Sequence, residues 1–130
     1  MRHLQALILV GLLAMLTSFA LAGDRIAGIY SSLRYIEEGG DLIGMEVIVV
    51  PSHRTAGLSY SAFVQISEGG APDVVVVDFM EKNGKMEFVF PPGSPYAGQK
   101  LTGTLVKGEM VLKWPNGAEE HLKRGKSYWQ

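Results

Sequence analysis

The chain of 130 residues contains no cysteine. That single absence excludes a disulfide framework, a thiolate zinc site, a thiol nucleophile and a lipid-modified N-terminal cysteine. An excess of one charge is missing too. Lys and Arg number 12 against 13 Asp and Glu, a formal charge of −1, so the strongly cationic surface of a dedicated nucleic-acid binder is not expected. Histidine is scarce, at 3. Beyond the N-terminal segment no long stretch keeps a 3.6-residue apolar period, which argues against helices. Nor is there a Gly-x-Ser-x-Gly elbow or a dinucleotide fingerprint, and Gly125-Lys126-Ser127 lacks the upstream glycine of a phosphate loop.

What is abundant is apolar residue, 47% of the chain, with a mean hydropathy of +0.14. Much of it stands at the start. Met1-Arg2-His3 carries a positive charge, Leu4 to Leu16 is apolar apart from Gln5 and Gly11, and Ala20-Leu21-Ala22 supplies the small residues a signal peptidase requires. The expectation is an export signal over 1–22, cleaved after Ala22, with a single domain over 23–130. The competing reading is an uncleaved membrane anchor, since the run approaches the ~20 residues that span a bilayer. No second long apolar run follows, so no membrane span is expected after cleavage. Export without cysteine points to a periplasmic or secreted protein, the bacterial periplasm first.

Downstream, short alternating segments are punctuated by glycine-containing turns, the pattern of an all-β domain. Leu58, Tyr60, Ala62, Val64 and Ile66 fall on one face of a strand, with Phe63 alone among polar residues on the other. Val74 to Met80 is a nearly continuous apolar run, which reads as a strand covered on both sides. Asn83-Gly84 fits a type I′ hairpin turn, and Lys107-Gly108 and Asn116-Gly117 mark two more hairpins. With Ile26–Tyr30 and Leu42–Val50, strands over 58–66, 73–80, 85–90, 100–106, 109–114 and 118–124 bring the count to about eight. Such a meander closes into a small barrel, which removes exposed edges. A two-sheet sandwich is the alternative architecture.

Gly28-Ile29-Tyr30 on the first strand and Arg124 after the last resemble the calycin-type small barrels, the lipocalins and their relatives. There a Gly-x-aromatic is covered by a basic residue from the final strand. The resemblance implies a structural pair in which the Arg124 guanidinium plugs one barrel end over the Tyr30 ring, a contact of roughly 0.5–2 kcal/mol. It implies no particular ligand.

The chemistry-bearing residues are sparse. His53 lies in the turn-rich loop 51–57 beside Ser52, and adjacent residues of an extended chain point apart, so no catalytic pair is expected there. On the last strand only Glu119 shares a face with His121, and two ligands do not make a metal site. No catalytic residue, metal site or cofactor is therefore predicted. Binding is the better expectation. Loop 91–98 is stiffened by Pro91, Pro92 and Pro95 and carries Tyr96, which either caps the barrel or meets a partner. His53, Arg54 and the terminal Trp129 are the other candidate contacts. The sequence thus predicts an exported, non-enzymatic binding module that docks its loops on another envelope component, as a protein inhibitor does. Its alternative is a carrier of a small apolar ligand inside the barrel, although the bulky inward set Met86, Phe88, Phe90, Leu101, Leu105, Leu112 and Trp114 argues for a filled interior.

Overall fold

The structure is a computed structural model that describes residues 26–52 and 59–130. Nine strands form one antiparallel sheet: β1 (Gly28–Ser31), β2 (Arg34–Ile36), β3 (Asp41–Ser52), β4 (Ser59–Glu68), β5 (Asp73–Lys82), β6 (Lys85–Val89), β7 (Lys100–Val106), β8 (Glu109–Lys113) and β9 (Glu119–Arg124). From β3 to β9 each strand pairs with the next, and β1 closes the circle by pairing with both β3 and β9. The result is an eight-stranded closed barrel with one extra strand. That extra strand, β2, prolongs β1 along β3 in the same register, Tyr30 opposite Val47 and Tyr35 opposite Leu42. Among the described residues there is no helix, and none therefore that is long and apolar enough to cross a membrane.

The interruption between β1 and β2 has a local cause. Opposite it stands Gly44 at φ +112, where an added Cβ would lie 2.6 Å from the Ser32 carbonyl oxygen. Only glycine lets the two backbones approach so closely. Ser32 fastens the spot, its amide donating to the Met45 carbonyl at 2.8 Å and its hydroxyl oxygen accepting from the Met45 amide at 3.1 Å. The turns follow the local sequence. Asn83 and Gly84 both have positive φ, as do Lys107 and Gly108, so two of the hairpins are type I′. At the third only Gly117 is left-handed, and the Asn116 side chain instead accepts from the Ala118 amide.

Alternation decides which residues fill the barrel. Met45, Val47 and Val49 of β3, Ala62 and Val64 of β4, and Val77 and Phe79 of β5 are buried, facing Met86, Phe88, Leu101, Met110, Leu112 and Leu122 of the later strands. Each fully buried side chain of this size contributes about 1.5–3 kcal/mol. Aromatic rings run up the interior: Phe79 on Phe88 at 5.9 Å, Phe88 edge-on to Phe90 at 5.4 Å, and Phe90 stacked on Trp114 at 5.9 Å. The axis is occupied by side chains.

One expectation fails. β5 is not covered on both sides: Val75, Val77 and Phe79 are buried, while Val74, Val76 and Met80 are 62%, 47% and 58% exposed. Among the described residues nothing outside this one-layer barrel covers that face, so β-branched residues stand exposed there.

Candidate functional site

The two ends of the barrel are closed differently. At one end Arg124 lies over Tyr30, its Cζ 5.7 Å from the ring centroid, and donates to the Ala27 carbonyl at 2.7 Å. Gly28 makes this possible, since a Cβ there would stand 3.1 Å from the Arg124 guanidinium. The buried Tyr30 hydroxyl donates to the Ile26 carbonyl at 2.9 Å. Burial pushes the Tyr30 phenol above its usual range, and the Arg124 charge partly offsets this.

At the other end sits Tyr96, half-buried, its ring 5.3 Å from Phe90 and 5.7 Å from Trp114. Its loop is tied at the base, with Phe90 N–H donating to Gln99 C=O and Gly98 N–H to Phe90 C=O, both at 3.0 Å. Burial raises the Tyr96 phenol, and the nearby Glu68 and Asp73 charges raise it further. Tyr96 therefore extends the aromatic column and stays partly exposed. The candidates His53 and Arg54 lie outside the described residues.

Trp129 belongs to a more elaborate arrangement. Glu46 points outward from β3 yet is fully buried, because the C-terminal tail lies across it. Its Oε1 accepts from the Ser127 hydroxyl at 2.6 Å, and its Oε2 accepts from the Tyr128 amide at 2.8 Å. Beside it Gln65 takes the Trp129 indole N–H on its Oε1 at 2.9 Å. Tyr128 and Trp129 meet edge to face at 5.1 Å and remain 39% and 55% exposed. Charge-assisted bonds to a desolvated carboxylate are stronger than neutral ones, so the tail presents its two rings from a fixed mount.

The mount borders the exposed face of the sheet. Glu46, Gln65 and Val74 form one cross-strand row, and Ile48, Phe63 and Val76 form the next. With Phe63 at 42% exposure, the outer face of β3, β4 and β5 carries an apolar surface flanked by Trp129. Trp, Tyr and Phe are the side chains that dominate binding interfaces. Sequence reasoning flagged Phe63 and Trp129 separately. It missed Glu46, which looks like any surface carboxylate until the tail is seen to cover it.

Two depressions open on the outer surface. One of about 400 Å³ lies where β5 and β6 part beyond Met80 and Glu87, bordered by Val76, Phe88, Val89 and Pro91. The other, about 770 Å³, crosses β5 to β9 over Met80, Lys85, Thr104 and Val111. On β9, His121 shares its face with Glu119, as the alternation requires, and β8 adds Glu109: Nδ1 lies 2.6 Å from Glu109 Oε1 and Nε2 3.4 Å from Glu119 Oε2. The hydrogen bond to Glu109 leads in raising the His121 pKa, and Glu119 adds to it. Among the described residues no group of three side chains is placed to hold a metal ion.

Comparison with protein-family models, with curated proteins and with solved structures gives no match.

Proposed function

We propose that this protein is an exported, non-enzymatic binding module that engages another envelope component through the outside of its barrel. The observation that carries this reading is the contrast between the two faces of the sheet. Inward, aromatic and aliphatic side chains occupy the axis and both ends are covered, which disfavours an interior carrier role. Outward, Phe63, Val74, Val76 and the tail's Trp129 form an aromatic and aliphatic surface that the described residues leave exposed. A soluble monomer seldom keeps such a patch without a use for it. Tyr96 adds a candidate contact at its end of the barrel, and His53 and Arg54 remain candidates from the sequence alone. The closed barrel, the Gly28 pocket for Arg124 and the buried Tyr30 support kinship with the calycins. Tyr in the position usually held by Trp keeps the same aromatic face for the cation.

The test is cross-linking in intact exporting cells from a photoreactive residue placed at Val76, with a second placed at the opposite face on Thr104. A discrete adduct from Val76 alone, lost on Phe63→Ser, supports the reading. Equal or absent adducts from both sites would remove the β3–β5 face, and a stoichiometric apolar molecule extracted from the purified protein would favour the carrier.

A further inference from the structure

The strand directions sort the charged residues by barrel end. The turns after β5 and β7, the end of β9 and the start of β1 lie together at one end, because each of these elements runs toward or from it. Lys82 and Lys85 flank the β5–β6 turn, Lys107 sits on the β7–β8 turn, and Lys123 and Lys126 mark the exit of β9; all are exposed. Among the described residues none of these ammonium groups has an ion-pair partner. The carboxylates nearby are engaged elsewhere, Glu81 accepting from the Gly84 amide at 2.8 Å and Glu109 from His121 at 2.6 Å. At the far end the turns carry Glu37, Glu38, Asp41, Glu68 and Asp73, while the lysines there, Lys100 and Lys113, are already paired with Glu87 and Glu119. A chain of nearly zero net charge is thus an electrical dipole along the barrel axis.

Lys82 and Lys85 sharpen the point. They face each other directly across the β5–β6 ladder, and like charges so placed repel. An anionic surface held against this end would relieve that repulsion. Next to Lys107 the turn also exposes Val106, 52% accessible at the tip, an apolar side chain suited to the headgroup layer. The described chain enters the barrel at this end as well, at Ile26 before β1, and the segment 1–22 read as an export signal lies outside the described residues.

We propose that the lysine-bearing end is a docking surface for an anionic lipid bilayer, which orients the barrel with its acidic end and Tyr96 away from the membrane. This goes beyond the proposed binding role and uses a different surface, so either can fail alone. Exposed lysines near an anionic bilayer each strengthen binding by roughly fivefold, an effect that fades beyond the screening length of salt.

The experiment is co-sedimentation of the protein, purified as exporting cells process it, with vesicles of phosphatidylcholine alone or with about one third phosphatidylglycerol. The anionic-to-neutral ratio isolates the electrostatic part from any apolar anchoring by residues 1–25. Expected is a ratio that falls about 100-fold in Lys82→Glu/Lys85→Glu/Lys107→Glu and with added salt. The controls are Lys82→Glu/Lys85→Glu, which should lose most of that ratio, and Lys100→Glu/Lys113→Glu, which makes the same two charge reversals at the far end and should keep most of it, with thermal melts confirming that the variants are folded. A wild-type ratio near one overturns the proposal. So does an equal loss in the two double variants, and so does full release by millimolar inorganic phosphate, which would mark a site for a small soluble anion.

Discussion

Glu46→Ala removes the anchor of the C-terminal tail, and the consequence can be worked from the contacts. Wild-type Glu46 is fully buried and accepts charge-assisted bonds from Ser127 at 2.6 Å and the Tyr128 amide at 2.8 Å. Each such bond contributes about 1.5–3 kcal/mol. The released tail is a surface segment whose polar groups regain water, and the carboxylate no longer stays desolvated, so the net loss is nearer the cost of one bond, ~2–3 kcal/mol. That shifts the tail's opening equilibrium roughly 30- to 150-fold, at 1.4 kcal/mol per tenfold. Carboxypeptidase digestion reads it directly, because the enzyme needs residues 127–130 detached. Release of Gln130 and Trp129 should accelerate by about that factor, while the melting temperature falls only modestly because the barrel pairings are untouched. Glu46→Gln, which keeps one acceptor for the Tyr128 amide, should accelerate release by about tenfold or less. Equal digestion rates in wild type and Glu46→Ala would refute the tail's dependence on this carboxylate.

Further consequences follow from the same geometry. Gly44→Ala forces a Cβ to within 2.6 Å of the Ser32 carbonyl at φ +112 and should cost ~2–4 kcal/mol in urea unfolding. Arg124→Met keeps the aliphatic stem but loses the cation over Tyr30 and the bond to Ala27, for an expected ~1–3 kcal/mol, only partly restored by Arg124→Lys. His121, whose pKa is raised first by its hydrogen bond to Glu109, should titrate by NMR above the ordinary histidine value and return toward it in Glu109→Gln. Because its folded pKa is raised, the stabilisation it brings is fully present below the ordinary value and is lost as pH rises through the raised one.

The fold was legible because its signals are local. Alternation along 58–66 and the glycine turns at 83–84 and 107–108 locate strands and hairpins without reference to anything distant. The Tyr30–Arg124 contact was legible through a pattern of residues joined by closure of the barrel. Glu46 was not, since its burial depends on a tail that meets it from the far end of the chain, and no spacing encodes that. Glu109 beside His121 was missed for a related reason: the β8–β9 register that aligns them is set by the turn at 114–118, in which only Gly117 is left-handed. Reading β5 as covered on both sides confused strand propensity with burial, for Val74 and Val76 satisfy the first without the second.

The central claim, that the barrel is filled and binds on its outside, is tested most directly by NMR of methyl-labelled protein titrated with a small apolar probe such as benzene. The account predicts no shifts at Met110, Leu112 and Leu122 in the wild type. It predicts saturable shifts there once Phe88→Ala opens a void, at a cost of ~3–5 kcal/mol in stability. Saturable binding to those methyls in the unaltered protein would show a hollow barrel and contradict it.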